Sequence, residues 1–432
     1  MKSLFWHRRD LRISDNAGLY KALKQSSELI PIFIFDRTIL DRLPKNDQRV
    51  RFIHECISSL KKEYSDIGSD LRILHGDPKT IIPELCEKEK IEMVFTNRDY
   101  EPYALERDRT IFEELKTRGI EFIGTKDHVI FEKNEVLKDD GSPYTVFTPY
   151  SRKWKSKLNE FFLSSYPVEK YFSHLYLTAS KSKVPTIEEL GFETTVIHSF
   201  PSTIVNDKLI SFYKEKRDFP AQSGTSRLSL HLRFGTISIR QLARKATQLN
   251  ETFLNELIWR DFYQMIIFHF PHSVKNAFKP QYDRIEWEHN ETHFQAWCEG
   301  KTGYPLVDAG MRELNETGFM HNRVRMVTAS FLTKHLLLDW RLGEAYFAEK
   351  LLDFELASNV GGWQWASGTG CDAAPYFRVF NPESQQQKFD PKFEYIKKWV
   401  PEFGTDAYPK PIVEHTFARN RAIARYKEGL KP

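Results

Sequence analysis

Short apolar runs alternate with amphipathic segments through the first 130 residues. SLFWH (3–7), LIPIFIF (29–35), LRILHG (71–76), EMVFTN (92–97) and IEFIG (120–124) read as strands. Between the second and third, RVRFIHECISSLKKEY repeats at helical spacing. Val50, Ile53, Ile57 and Leu60 fall on one face, with Phe52 and Cys56 beside it. Such alternation predicts a Rossmann-like, doubly wound α/β domain over 1–130, with helices on both faces of a parallel sheet. No GxGxxG follows the first strand, so a dinucleotide held in the Rossmann manner is not expected there.

The rhythm is lost over 131–199, where Gly141, Pro143, Pro149, Pro167 and Pro185 punctuate a polar stretch read as an interdomain linker. Helical patterning dominates from about residue 204. We therefore expect 200–432 to be an all-α domain. No internal repeat or low-complexity tract is apparent.

Composition changes this picture in one respect. Aromatic residues make up 14% of the 432-residue chain, and seven of the nine tryptophans follow residue 258. That crowding suits stacking on a planar cofactor or on bases. The net charge of +4 does not by itself call for nucleic acid, although SRKWKSK (151–157) and ARNRAIARYKEGLK near the C-terminus are locally cationic. Cys56, Cys86, Cys298 and Cys371 form neither a CxxC pair nor a metal spacing, and are expected to be reduced thiols. The N-terminus carries charges where a signal peptide needs an apolar core. No apolar run approaches the roughly 18 residues of a membrane span, so a cytoplasmic protein is expected.

Four stretches carry candidate chemistry. In GTSRLSLHLRFGTIS, Thr225, Ser226 and Ser229 put hydroxyls beside Arg227 at a helix start, a donor set suited to pyrophosphate or simply to capping. In FLNELIWRDFY, Glu256, Trp259, Arg260 and Tyr263 share one helix face. Three of those four need polar partners, so the face suits a pocket better than a core. MHNRVRM groups Asn322, Arg323, Arg325 and Met326. Arg325 needs a carboxylate if buried, and Asp353 and Glu355 are the candidates. NVGGWQWASGTG sets Trp363 and Trp365 among glycines behind Asn359.

These motifs occur in order with EGKTGYPLVDAGMREL, LLLDWR, CDAAPYFRVFNP and QKFDP, and with FWHRRDLRISDNAGL and VFTPYSRKWK upstream. The chain thereby closely resembles the photolyase/cryptochrome family over nearly its whole length, and most of all the class I cyclobutane pyrimidine dimer photolyases. The resemblance implies FAD in a bent form in the helical domain. Tyr213, Thr225, Ser226, Arg227, Leu228 and Ser229 would contact its pyrophosphate. Phe253 stands where the family usually has tryptophan beside the flavin. Asp353, Phe354 and Glu355 would line the ribityl and ring part, with Arg325 paired to Asp353 and Asn359 facing N5. Trp363, Trp340 and Trp287 match the family's electron-relay triad. The glycines would let the chain pass close to the flavin.

Three features imply dimer repair rather than light sensing. Position 359 is asparagine, where plant-type sensors carry aspartate; an amide tolerates the reduced, anionic flavin needed for repair. Asn322 and Met326 occupy a segment where enzymes for the (6-4) lesion show a histidine pair. The chain stops at Pro432, without the long tail of signalling cryptochromes. The implied reaction is electron transfer from light-excited reduced FAD to a dimer flipped out of UV-damaged DNA. Trp259 and Trp365 would stack on the pyrimidines, Glu256 would hydrogen-bond one of them, and Asn322 and Met326 would line the pocket. Arg217 and Gln385 resemble DNA contacts. The protein is expected to be a monomer. An antenna chromophore, deazaflavin or folate, is left open. Tyr103 stands where folate-binding relatives have an acid, and NRDYEPYALERD looks closer to the deazaflavin-binding ones.

Overall fold

The computed structural model describes residues 1–179, 181–194 and 199–431, so residues 180 and 195–198 of the expected linker lie outside the described residues. All five expected strands form: β1 (Lys2–His7), β2 (Glu28–Asp36), β3 (Arg72–Gly76), β4 (Met93–Asn97) and β5 (Glu121–Thr125). They make one sheet in the order β3-β2-β1-β4-β5, with every neighbouring pair parallel. β2 is buried along all but its first residue, as expected of a strand covered on both faces. Pro31 sits inside it opposite Phe5 of β1, but the ladder to β3 begins only at Ile32. Its missing N–H therefore falls beside unpaired backbone, where proline is tolerated.

Helix α1 (Gln48–Asp66) runs over the stretch read from its spacing, and Val50, Phe52, Ile57 and Leu60 are buried as expected. Asp47 caps it by accepting from the Arg49 N–H. The order of strands reverses between β1 and β4, where doubly wound folds bind ligands at the carboxyl ends. Here the chain's own groups fill the position. Asn97 Nδ2 donates to Asp10 Oδ2 (2.7 Å) and to Asn16 Oδ1 (2.8 Å). A Cβ on Gly18 would lie 2.5 Å from the Asn97 side chain, so only glycine admits that approach.

The chain forms two compact units from interleaved stretches. The sheet unit comprises 1–132, 157–204 and 228–247, and the helical unit 133–156, 205–227 and 248–432. The stretch read as a linker thus contributes to both. The helices used below are α2 (Phe147–Lys157), α3 (Glu251–His269), α4 (Pro305–Thr317), α5 (Asn322–Ser330), α6 (Trp340–Lys350), α7 (Leu356–Ser367), α8 (Pro382–Phe389) and α9 (His415–Gly429). In the helical unit α7 packs against α3, α5 and α6. Trp297, Trp340, Phe347, Val360 and Trp363 belong to its main apolar cluster.

The four cysteines are free, and burial pushes each thiol up to about 12. No helix among the described residues is long and apolar enough to cross a membrane.

Candidate functional site

Helix α3 carries the densest set of expected residues. Asn250 caps it by accepting from the Phe253 N–H, and Glu251 sits in its first turn, where a carboxylate favours the helix dipole. The expected face forms, but each residue takes a different partner. The Glu256 carboxylate pairs with the Arg217 guanidinium at the end of the short helix Tyr213–Lys216. Both side chains are about one-third exposed, at 35% and 34%. Burial raises the Glu256 carboxyl above the usual carboxylate range, against the pull of Arg217. Arg260 is buried and pairs with Glu355 (3.2 Å). Tyr263 packs on Gly361 of α7, where a Cβ would lie 2.3 Å from the ring.

Trp259 is half-buried and stacked flat on Phe147 of α2, with centroids 3.7 Å apart and planes 2° from parallel. A face-to-face sandwich is the least favoured aromatic geometry, so the pair needs an anchor. The Phe147 N–H supplies it by donating to Asp372 Oδ2 (3.0 Å). Asp372 itself has a left-handed backbone, φ 46°.

Helix α5 starts with His321 as its cap, accepting from the Arg323 N–H. Burial lowers His321 to about 4, so it is neutral near pH 7. Asn322 and Met326 lie one turn apart, Nδ2 to Sδ 4.0 Å. Arg323 pairs with Asp218 (2.8 Å) and covers the Phe389 ring. Of the two candidate carboxylates for Arg325, Asp353 takes it, at 3.0 and 3.1 Å, and Glu355 goes to Arg260.

The stretch NVGGWQWAS is helical within α7. Gly361 is required by Tyr263, while Gly362 meets nothing within 4 Å and opens one side of α7. Asn359 donates its amide to Glu344 Oε1 (2.8 Å) and to the Glu344 carbonyl (3.1 Å). Trp363 is buried against Gly343, where a Cβ would lie 2.0 Å from the indole. Its ring meets Phe347 edge-on at 5.0 Å. Trp340 is buried in the same cluster, under Arg341 at 4.9 Å. Trp287 is partly buried and packs on that cluster as well as edge-on against Tyr426 (5.8 Å). Trp365 is half-buried, tilted against Phe380 (6.4 Å). Phe354 packs on the same cluster, and Gln385 lies on α8 with Oε1 buried and unpartnered among the described residues.

Tyr213 meets Phe253 edge-on at 5.1 Å. Thr225 and Ser226 are half-buried, and the exposed Arg227 has a left-handed backbone and lies 4.2 Å over the Phe319 ring. Leu228 and Ser229 begin the helix Ser229–Phe234, which clusters with the sheet unit and has no side-chain cap. In the sheet unit, the Tyr103 hydroxyl donates to Asp36 Oδ2 (2.6 Å).

Sequence reading missed Asn255, Phe147, Asp218 and Glu344. Asn255 sits beside Glu256, and its buried Oδ1 has no partner among the described residues. It was legible as an amide inside an otherwise charged motif. The other three act through tertiary contacts that no local spacing announces.

The helical unit's donors fit FAD. Gly362 presents an uncovered backbone on α7, the Asn255 Oδ1 lacks a donor, and the Asn359 amide nitrogen is committed to Glu344, leaving its oxygen as an acceptor. Hydroxyls at Thr225 and Ser226 with Arg227 suit a diphosphate. Among the described residues no cluster of His, Cys, Asp or Glu could hold a metal ion.

Comparison with known proteins agrees in kind. Residues 3–169 match the family model for DNA photolyase, and residues 253–406 match that for the FAD binding domain of DNA photolyase. A deoxyribodipyrimidine photo-lyase of Synechococcus sp. is 38% identical over 469 residues, covering 98% of this chain and 96% of its own. An archaeal photolyase from Sulfolobus tokodaii, solved with two FAD molecules, has TM-score 0.87 at 34% identity, covering 99% and 100% of the two chains. A class III photolyase from Agrobacterium tumefaciens has TM-score 0.87 at 30% identity, covering 100% and 98%.

Proposed function

The chain belongs to the photolyase/cryptochrome family, and from that premise we propose that it repairs cyclobutane pyrimidine dimers in DNA with light. The observation that carries this reading is the Glu256–Arg217 pair, one turn from Trp259 on α3, with the adjacent Asp218 tied to Arg323 on the helix α5 that bears Asn322 and Met326. A carboxylate that burial disfavours, held by one partly exposed arginine, contributes little to stability. Such a group is retained for what it meets.

When bound, FAD would supply the light-driven electron that opens the dimer. The protein's residues do the rest. Tyr213, Phe253, Thr225, Ser226 and Arg227 would hold the dinucleotide, with Leu228 and Ser229 next in the chain. Arg325 fixes Asp353 and Arg260 fixes Glu355, so neither carboxylate would be left unpaired beside a reduced ring. Asn359, turned by Glu344, would present an oxygen to N5. Trp363, Trp340 and Trp287 would reduce the bound cofactor from inside the apolar cluster. An extruded base would stack on Trp259 and Trp365, gaining roughly 1–3 kcal/mol per base. Asn322, Met326 and Gln385 would line its surroundings.

Lesion recognition is testable in the dark. The protein should bind a duplex carrying one thymine dimer more tightly than the undamaged duplex, and both affinities should fall with salt as phosphate contacts release counterions. Equal affinity for the two duplexes contradicts the reading.

A further inference from the structure

The Arg217–Glu256 pair is built to be exchanged. It joins two groups of which each has a better use once DNA arrives. Arginine binds phosphate through the same planar fork with which it binds carboxylate. A pair this exposed is weak, so a backbone phosphate can compete for it.

The surroundings of Glu256 decide its charge once Arg217 leaves. Arg217 is the cation that favours its ionised form, and Asp218 is a second carboxylate acting against it. Asp218 is itself tied to Arg323 of α5 (2.8 Å). The phenols of Tyr213 and Tyr263 interact electrostatically with Glu256, and burial holds both above the ordinary tyrosine value, so they stay neutral. His321, which senses Asp218, Arg323 and Arg325, is lowered to about 4 by burial and is also neutral near pH 7. With Arg217 withdrawn, a partly buried carboxylate faces a like charge, and both effects favour its neutral form. The chemistry of the target agrees. An ionised carboxylate only accepts hydrogen bonds, whereas a protonated one also donates. A pyrimidine edge offers carbonyl acceptors next to an N–H donor, which a neutral acid can match at once.

We propose that Arg217 is a positioning residue that passes from Glu256 to a backbone phosphate as lesion DNA docks, and that Glu256 takes up one proton from solvent in the same step. The inference rests on the repair reading above, because it takes Glu256 as the group that meets the base. The damaged strand then sets the protonation of the carboxyl that reads it.

The test is calorimetric titration of the flavin-loaded full chain, in the dark, with a duplex carrying one thymine dimer, in buffers of different ionisation enthalpy. The buffer dependence should give uptake approaching one proton, and Kd should rise by up to about tenfold per pH unit across the window of uptake, because the complex binds more protons than the free protein. Glu256→Gln should bind with no uptake, since its amide is always neutral and can donate. Arg217→Met should bind more weakly and with less uptake, because loss of its cation shifts Glu256 toward the protonated form before DNA arrives. A purely structural pair would leave the proton count unmoved by either change. Tight, dimer-selective binding by the wild type without proton uptake overturns the exchange and leaves the repair reading standing. Uptake persisting in Glu256→Gln, or undiminished in Arg217→Met, does the same. Loss of selectivity for the dimer in the wild type removes both.

Discussion

In the sheet unit, Asp127 is fully buried between two arginines. Its carboxylate takes Arg12 at 2.7 Å and Arg240 at 2.8 Å, and accepts the Ala17 N–H at 3.0 Å. Against the cost of burial, Arg12 and Arg240 hold it far below the usual carboxylate range. Asp15 closes the cluster from the other side of Arg240 (2.9 Å). In the helical unit, Glu256 has a single, partly exposed arginine and lies above the usual range. In the same unit, Asn255 Oδ1, Gln385 Oε1 and Trp363 Nε1 are buried without partners among the described residues. The Asp127 carboxylate is met on both oxygens from within the protein, whereas Glu256 has one partly exposed cation and an unpartnered amide oxygen next to it in the chain. Closed networks stabilise and open ones cost stability, so the open cluster is where function is expected.

The contrast can be broken in several ways. The largest expected effect is on electron supply: Trp363→Phe should abolish photoreduction of bound, oxidised flavin while sparing repair by chemically reduced protein. Transient absorption together with a repair assay checks this, and equal loss of both contradicts the relay role. The next largest is on stability. Asp127→Ala strands Arg12 and Arg240 and should cost about 3–5 kcal/mol, read as a lowered denaturation midpoint. A smaller effect is expected from Gly361→Ala, whose new Cβ would press on Tyr263 behind the open cluster. Overpacking there should cost about 1–3 kcal/mol and weaken dimer binding in the dark more than binding of undamaged DNA. Glu256→Gln should change stability least, within about 1 kcal/mol, while Glu256→Ala lowers repair per absorbed photon. If Glu256→Gln destabilised the protein as much as Asp127→Ala, the two clusters would be of one kind and the contrast would fail.

The sequence made the sheet legible because its strands are continuous apolar runs bounded by turn residues, and each lies within a residue or two of its expected position. Helix α3 was equally legible, since Glu256, Trp259, Arg260 and Tyr263 keep one spacing. Their partners were not. Arg325 had two candidate carboxylates, and only the fold assigns Asp353 to it and Glu355 to Arg260. The stack of Phe147 on Trp259 joins positions far apart in sequence, and nothing in VFTPYSRKWK marks Phe147 for it. The packing partner of the glycines in NVGGWQW was not legible. Gly361 makes room for Tyr263, and only Gly362 faces open space. The boundaries of the compact units were illegible as well, because 228–247 is helical by pattern but clusters with the sheet unit. Local periodicity reports an element, not the unit that element joins.

The central claim is that the open cluster of the helical unit receives a damaged pyrimidine pair and lets light restore it. The flavin-loaded, reduced protein should be incubated with a duplex carrying one thymine dimer, under blue light and in the dark, and the intact thymines counted. The account predicts restoration under light and none in the dark. Tight binding of the dimer with no thymine recovered under light would contradict it.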